Sequence, residues 1–254
     1  MRTRSIRALW VQPLLIVLFV LPAFAGPPFQ TDDPVPVGLG HYELYVASIG
    51  THVKGDTAGG LPSVELTYGL IPDGQLQIGG EFAFDDAEEG MRSGYGDTQV
   101  SLKYRFIHED ARGLTPQVAL FPAVFFPTGS QPRGLGAGHA RAFLPVWAQK
   151  SFGDWTTYGG GGYWLNRDAE TGAKNYWFVG WLLQRKITDQ LTLGGEVFHQ
   201  TADIIGGEAS TGFSVGGTYD FDSHNHLLVS VGSGLQNAAE TDLVSWYVGW
   251  ELTY

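Results

Sequence analysis

The segment that decides the fold reads Val244-Ser245-Trp246-Tyr247-Val248-Gly249-Trp250-Glu251-Leu252-Thr253-Tyr254. Successive side chains of a β-strand point to opposite faces of the sheet. The even-numbered residues of this segment are all apolar or aromatic, whereas the odd-numbered ones are mostly small or polar. The alternation therefore predicts a β-strand with one apolar face and one polar face.

The same two-residue period recurs at 75–84, 99–106 and 210–219, and two kinds of protein have such strands. In a soluble β-sandwich the apolar face packs in the core and the polar face meets water. In an outer-membrane barrel the apolar face contacts lipid and the polar face lines the lumen. The polar faces here are rich in Gly and Ser, and Trp and Tyr lie near strand ends, where membrane interfaces favour them. These features favour the barrel.

The connections between strands support the same interpretation. We expect strands near residues 41–51, 62–70, 75–84, 97–107, 115–127, 140–150, 155–165, 174–186, 190–200, 209–221, 226–235 and 243–254. Long polar connections (52–61, 85–96, 128–139, 166–173, 201–208 and 236–242) alternate with mostly short ones, as extracellular loops and periplasmic turns do. The prediction is an all-β fold, a transmembrane antiparallel up-and-down β-barrel of about 12 strands with both termini on the periplasmic side.

The first residues have the three parts of a secretory signal peptide. Arg2, Arg4 and Arg7 precede the apolar run Leu14–Leu21, which is followed by Ala23-Phe24-Ala25. A positive start, a short apolar core and an A-x-A site are the signature of such a peptide. The apolar run is shorter than the ~20 residues that a membrane-spanning helix needs. We therefore expect cleavage after Ala25 and export of the remaining chain.

The chain thus divides into a signal peptide (1–25), a Pro-rich periplasmic N-terminal segment (26–38) and an outer-membrane β-barrel (39–254). Residues 1–25 contain three Arg and no acidic residue, so their loss changes the formal net charge from −11 to −14. Such an acidic surface argues against nucleic acid as a partner, because phosphate binding requires a basic surface. The chain has no Cys and therefore no thiolate metal site.

Four stretches resemble a known family. They are residues 26–34 (GPPFQTDDP), 96–106 (GDTQVSLKYRF), 126–129 (FPTG) and 153–163 (GDWTTYGGGGY). Together they are similar to segments of the outer-membrane transporter family of the phenol meta-cleavage (MetA) degradation pathway. The resemblance covers the whole mature chain and implies a barrel that passes small solutes, aromatic or apolar ones by the family's name. It implies no catalytic or binding residues.

Charged residues on the polar faces are the candidate functional residues. We expect the following side chains to line the lumen: Glu43, Glu65, Glu81, Lys103, Arg105, Glu196 and Glu251. Buried charges pair with one another or meet water, so two interpretations stay open, a polar path for solutes and a salt-bridge network that fills the interior. Inward aromatic residues are expected to narrow the lumen or to line an apolar route, namely Tyr45, Tyr158, Trp164, Tyr176, Phe178 and Phe198.

The run Gly159–Gly162 is unusual inside a strand. Glycine in a strand often marks a bend or the close approach of another group. Three explanations are open: room for the N-terminal segment, room for bulky side chains across the lumen, or curvature of the strand.

No residue is assigned to catalysis, to a cofactor or to a metal. His199 follows Val197 to the outer face by alternation, and Asp222 and His224 lie in a short connection where Asp is expected for turn chemistry alone. His224 and His226 lack a third ligand of plausible spacing. We predict that the protein is not an enzyme.

The predicted function is an outer-membrane channel or transporter for small solutes. The main alternative is a structural or partner-binding barrel with a blocked lumen, and the less favoured one is an outer-membrane enzyme. The expected partners are the lipid bilayer with its lipopolysaccharide, the solute, and the barrel-assembly machinery. That machinery reads a terminal signal that Gly249-x-x-Leu252-x-Tyr254 resembles.

Overall fold

The computed structural model describes residues 27–87 and 90–254, so the predicted signal peptide lies outside the described residues. Its strands are β1 (Tyr42–Val53), β2 (Asp56–Ile71), β3 (Gly74–Ala87), β4 (Gly90–Tyr95), β5 (Thr98–Ile107), β6 (Gln117–Leu120), β7 (Ala123–Phe126), β8 (Arg141–Phe152), β9 (Trp155–Leu165), β10 (Tyr176–Lys186), β11 (Leu191–Gln200), β12 (Ser210–Asp220), β13 (Asn225–Gln236) and β14 (Val244–Thr253). A 3₁₀ turn covers Gln131–Arg133, and a short helix, α1, covers Ala238–Thr241. Among the described residues, no helix is both long and apolar enough to span a bilayer.

The fourteen strand segments form a closed antiparallel barrel of twelve strands. β4 and β5 both pair with β3 and are one strand interrupted after Tyr95, and β6 and β7 both lie between β5 and β8. The second interruption falls at Pro122, which has no backbone N–H to give to the ladder, although its carbonyl still accepts from Leu102 N at 3.0 Å. The predicted all-β barrel of about 12 strands is confirmed.

The seam between the first and last strands closes the barrel. β1 and β14 pair antiparallel from Glu43 opposite Thr253 to His52 opposite Val244. On the outer side of this seam the indole ring of Trp246 covers Gly50, where a Cβ atom would lie only 2.3 Å from the ring. The Trp246 indole N–H donates to Ser48 Oγ at 3.1 Å. Closure leaves neither edge of the sheet unpaired. A β-sheet in lipid requires this, because unpaired backbone N–H and C=O groups are costly there.

The two faces of the wall differ as the alternation predicts. In β2, Leu66 is 48% exposed, whereas its neighbours Glu65 and Thr67 are 7% and 1% exposed. In β14, Val248 is 46% exposed and Gly249 is buried. Apolar side chains therefore point outward to lipid, and polar or small ones point into the lumen.

Two predicted loops are wrong. Residues 52–61 and 85–96 are mostly strand, because β1 and β2 are joined by Lys54-Gly55 alone and β3 pairs with β4 from Phe82 opposite Tyr95 to Ala87 opposite Gly90. Their polar, Gly-containing sequences resemble loops, yet backbone pairing continues through them. These two hairpins prolong the barrel wall on the side opposite the termini.

The outward position of Val248 gives a test of membrane depth. Val248→Arg should lower the free energy of unfolding by about 2–4 kcal/mol, because a charge near the bilayer midplane is costly. Leu252→Arg, on the same face but near the periplasmic end, is the matched control and should cost about 0–1 kcal/mol. Urea titration of the refolded protein in lipid vesicles measures both. Equal, small losses would contradict this depth and face.

Candidate functional site: the lumen and its plug

A segment of the chain crosses the lumen, and we call residues 27–37 the plug. Phe29, Thr31 and Asp32 are at most 5% exposed. At the periplasmic end the plug is held by Val37 N, which donates to Gln75 Oε1 on β3 at 2.7 Å. Residues 26–38 were expected to form a periplasmic segment. The described residues of that segment instead run into the barrel, because the wall offers partners for their polar groups.

Glu196 on β11 binds the backbone of the plug. Its carboxylate accepts from Gln30 N at 2.8 Å and from Thr31 N at 2.7 Å, and Ser214 Oγ on β12 donates to it at 2.7 Å. On β13, Ser230 Oγ donates to the Pro28 carbonyl. Hydrogen bonds to a charged acceptor are stronger than neutral ones, so Glu196 is the main polar anchor in the middle of the lumen.

An ion pair joins the plug to the opposite wall. Lys103 Nζ on β5 lies 3.0 Å from Asp32 Oδ1 and 3.8 Å from Asp33 Oδ1. Lys103 and Asp32 are both buried, and the ammonium group also lies 4.6 Å from the centre of the Phe121 ring. Removing one partner of such a buried pair leaves the other charge unpaired, which is more costly than removing both. The sequence contained a signal for this contact, because the adjacent acids Asp32 and Asp33 lay outside every predicted strand.

Glycines accommodate the plug, but not those that the sequence suggested. A Cβ atom at Gly180 on β10 would lie 2.2 Å from Thr31 Oγ1. In the run Gly159–Gly162, the added Cβ atoms would instead meet backbone carbonyls of β8 and β10, at 2.2 Å from Phe178 O for Gly161 and 2.5 Å from Leu144 O for Gly162. The run therefore allows the backbones of neighbouring strands to approach closely, and the contacts of these glycines do not include the plug.

The plug separates two cavities. The one toward the long loops measures about 90 Å³ and is lined by the plug residues Pro27 to Gln30 together with hydroxyl groups such as that of Ser245. The one toward the periplasm measures about 310 Å³ and is lined mainly by polar side chains. Tyr45 and Glu65 line both cavities, so these two wall residues lie at the level where the cavities adjoin.

The remaining predicted charges lie at different levels of the inner wall. Near the periplasmic end, Glu43 and Glu251 face each other across the β1–β14 seam, and Tyr45 Oη lies 2.8 Å from the first and 3.1 Å from the second. Because one hydroxyl has one proton, it donates to only one of them at a time. Glu81 lies farther from the end of the barrel that carries the termini. Its Oε2 is buried and has no hydrogen-bond partner among the described residues.

Arg105 does not pair with the lumen carboxylates. Its guanidinium donates to Asp73 Oδ1 in the β2–β3 turn at 2.6 Å and to Gln117 Oε1 at 2.9 Å. His108 Nε2 lies 3.1 Å from the second oxygen of Asp73. Hydrogen bonds from Arg105 lower the pKa of the Asp73 carboxyl below its usual range. Arg105 therefore belongs to the periplasmic rim, and Lys103 is the predicted cation that lies deep in the lumen.

An aromatic column fills the side of the lumen formed by β6 to β11. Its members are buried and in mutual contact: Phe121, Phe125, Phe143, Trp147, Trp164, Tyr176, Phe178 and Phe198. Trp164 stacks on Phe143 at a centroid distance of 4.7 Å and on Tyr176 at 5.5 Å. The indole N–H groups of Trp147 and Trp164 are buried with no acceptor among the described residues.

Half of this column was expected from the sequence, namely Trp164, Tyr176, Phe178 and Phe198. The other four members, Phe121, Phe125, Phe143 and Trp147, were missed because Phe and Pro occur on both faces between residues 115 and 150, which hides the two-residue period. Tyr158, also expected to point inward, packs with Leu182 against the plug residue Phe29. The apolar end of the plug therefore adjoins the strands that carry the column.

The rejected catalytic candidates have structural partners. His199 Nδ1 lies 2.8 Å from Thr211 Oγ1, beside outward-facing Val197 and Val179. Asp222 accepts from Asn225 and from the backbone N–H of His224 in the β12–β13 turn, and these bonds lower the pKa of its carboxyl. Among the described residues, no three His, Asp or Glu side chains are grouped so as to hold a metal ion.

A closed twelve-stranded barrel with an apolar outer face defines an outer-membrane β-barrel protein. The chain belongs to the family described as "Putative MetA-pathway of phenol degradation", whose model matches residues 36–251. None of the curated proteins matches the chain.

Solved structures of outer-membrane barrels resemble this one. An outer membrane channel from Pseudomonas putida F1 is 16% identical, with a TM-score of 0.69, over 87% of this chain and 98% of that chain. The NanC porin is 10% identical, with a TM-score of 0.57, over 83% and 98%. The KdgM porin is 8% identical, with a TM-score of 0.56, over 84% and 99%. At such identities the likeness establishes the fold.

The contacts of the plug predict how it can be released. Deleting residues 26–38 should increase single-channel conductance and leave the barrel folded, because none of the described residues 27–38 belongs to a strand of the wall. Glu196→Gln should also increase conductance, since the amide has a single acceptor oxygen and no charge for the plug backbone. Glu81→Gln is the matched control, because Glu81 Oε2 has no hydrogen-bond partner among the described residues, the plug included. Planar-bilayer recording measures all three, and wild-type conductance of both the deletion and Glu196→Gln would exclude the plug as the barrier.

Proposed function

We propose that this protein is a channel of the Gram-negative outer membrane for small solutes of aromatic or apolar character. The observation that carries the proposal is the aromatic column, which runs along the lumen wall beside the plug. Stacked aromatic residues bind planar apolar groups, and offset or edge-on ring contacts are worth about 0.5–1.5 kcal/mol each beyond the buried area. The family's description, which names phenol degradation, supports the same class of solute.

The column also indicates which polar groups the solute has. The indole N–H groups of Trp147 and Trp164, which have no acceptor within the described part of the chain, are donors in an apolar environment. A buried donor without an acceptor is costly, and a solute with a hydroxyl, ether or carbonyl oxygen would satisfy it. The carboxylates Glu65 and Glu196 disfavour an anion in the middle of the lumen. These groups support a neutral, oxygen-bearing aromatic solute.

A barrel with a permanently blocked lumen is the second candidate, and the plug is the observation that favours it. The ion pair of Lys103 with Asp32 and the bonds to Glu196 hold the plug from two sides. In that case the loops or the periplasmic face would bind a partner. Solute uptake by the full-length protein separates the two candidates, because a blocked barrel passes none.

Export and assembly complete the proposal. The signal peptide of residues 1–25 would direct the chain across the inner membrane, and the C-terminal residues from Gly249 to Tyr254 would be read by the barrel-assembly machinery. In the outer membrane the apolar outer face would contact lipid and lipopolysaccharide. We assign no catalytic role to any residue.

Trp164→Leu tests the column as a binding wall. Uptake of a small phenolic solute into proteoliposomes should fall roughly two- to tenfold, because the contacts with Phe143 and Tyr176 are lost. Ion conductance should rise at the same time, since the lumen becomes wider. Trp177→Leu is the matched control on the lipid-facing side, where Trp177 is 56% exposed, and should change neither quantity. A rise in both uptake and conductance for Trp164→Leu would indicate an unselective hole.

A substitution at Glu65 tests whether the lumen prefers cations or anions. Carboxylates in a narrow passage favour cations, because low-dielectric walls focus their field. The wild type should therefore prefer cations weakly, and the preference should fade near 1 M salt, where the Debye length is about 3 Å. Glu65→Gln should reduce the reversal potential in a salt gradient, whereas Asp189→Asn, with a fully exposed side chain, should not. Anion preference in the wild type would contradict this arrangement of charges.

A further inference from the structure

The two cavities beside the plug are lined by many acidic side chains and few basic ones. Lys103 is the only basic side chain among the described residues that line them. A carboxylate that is removed from bulk water needs donors or a cation. The carboxylates that line these cavities therefore have to find partners: Asp32, Asp33, Glu43, Glu65, Glu196 and Glu251.

Glu65 is the carboxylate among them whose partners are incomplete. The others contact an ammonium group, plug amides together with a serine hydroxyl, or the tyrosine hydroxyl at the β1–β14 seam. Glu65 is 7% exposed and accepts a hydrogen bond from the side-chain amide of Gln77. Within the described part of the chain, no basic side chain forms an ion pair with it, because Lys103 is paired with Asp32. A cation beside Glu65 would complete its partners.

The first described residue of the plug lies beside Glu65. Pro27, Tyr45 and Glu65 are the described residues that line both cavities, so they surround the place where the cavities adjoin. The next plug residue, Pro28, is buried, and its carbonyl accepts from Ser230 Oγ on β13. Consecutive Cα atoms are about 3.8 Å apart at most, so covalent geometry keeps the residue before Pro27 close to the same place.

Cleavage after Ala25 puts a positive charge at this place. Gly26 then has a free α-amino group, which titrates at about pH 8 in peptides and is therefore mainly charged at neutral pH. The ammonium ion has three donors and no acceptor. The cavity toward the long loops measures about 90 Å³, which is room for about three water molecules, and the hydroxyl groups of its wall can accept the remaining N–H groups.

We propose that the α-ammonium group of Gly26 is the cation that pairs with Glu65, so that the cleaved N-terminus is a second charged anchor of the plug. This inference rests on the proposed cleavage after Ala25. A chain that keeps residues 1–25 has an uncharged amide at Gly26, so the ion pair forms only after cleavage. The plug therefore docks fully only in the processed protein.

The two ion pairs of the plug then have opposite polarity. At Lys103 the wall supplies the cation and the plug residue Asp32 supplies the anion, whereas at Glu65 the wall supplies the anion. A plug that shifted along the lumen would bring like charges together, which disfavours the wrong position. The site of cleavage therefore matters, because each additional residue moves the charge by up to about 3.3–3.6 Å.

Amide hydrogen exchange measures docking of the plug without any transport measurement. Gln30 N and Thr31 N donate to Glu196 in the docked plug, so their exchange reports how often the plug leaves. In protein purified from outer membranes, Glu65→Gln should speed their exchange by roughly tenfold to a hundredfold, the effect of losing one hydrogen bond between charged groups. Insertion of Gly-Ser before Gly26 should do the same, because it moves the ammonium group away from Glu65.

Combining the two changes tests the ion pair itself. If the ammonium group pairs with Glu65, the insertion should add little to Glu65→Gln, because either change alone removes the same contact. Glu65→Asp keeps the negative charge and should stay closer to the wild type. Glu81→Gln is the matched control and should exchange as the wild type does. Peptides from β14 confirm in every variant that the wall is folded.

Mass spectrometry of the intact wild-type protein separates this inference from the proposed cleavage. A first residue other than Gly26 would contradict the cleavage and the ion pair together. With Gly26 first, three results would overturn the ion pair alone: wild-type exchange in Glu65→Gln, effects of the two changes that simply multiply, or coupling of the insertion to Glu251→Gln instead.

Discussion

Inside a bilayer every backbone N–H and C=O group needs a partner within the protein, and the barrel follows from that constraint. Pairing of β1 with β14 satisfies it by removing both sheet edges. The closed wall then fixes the two faces, so Val248 meets lipid while Gly249 faces the lumen. It also encloses charges that water alone would otherwise solvate. The lumen of this protein is the place where those charges must find partners.

The plug supplies partners for some of these charges, and the wall in turn supplies partners for polar groups of the plug. Glu196 needs donors, and the backbone of Gln30 and Thr31 supplies them. Lys103 needs an acceptor, and Asp32 supplies it. The same bonds satisfy plug groups that would be unpaired inside a barrel. Since the two anchors lie on β11 and β5, the plug is held across the lumen from opposite walls, which a single anchor could not do.

The sequence predicts features that depend on local patterns, and it misses contacts between residues that are distant along the chain. The faces of β2, β5 and β14 follow from alternation. This is a local property, because residues two positions apart in a strand lie on the same face. The contact of Thr31 with Glu196 joins residues 165 positions apart, and the Pro-rich plug has no period that could reveal it. Pro122 and the other Pro and Phe residues between 115 and 150 hide the pattern on β6 to β8, so Trp147 and Phe143 escaped notice. The loop-like sequence 52–61 was misjudged because strand pairing tolerates Gly and polar residues above the membrane.

The plug and the long connections 127–140, 166–175 and 201–209 lie at different heights of the barrel and are held by different contacts. The polar contact of His139 with Asn166 joins two of these connections, and Arg141, directly after the first of them, lies over the ring of the column member Phe125. Below the column, the plug presents an apolar residue, Phe29, packed on Tyr158 and Leu182 of the strands that carry the column. The plug therefore presents an apolar residue to this wall, whereas its charged residues Asp32 and Asp33 lie beside Lys103 on β5. Glu65 and Tyr45 line the cavities on both sides of the plug and do not belong to the column, so charged and aromatic groups occupy different parts of one lumen.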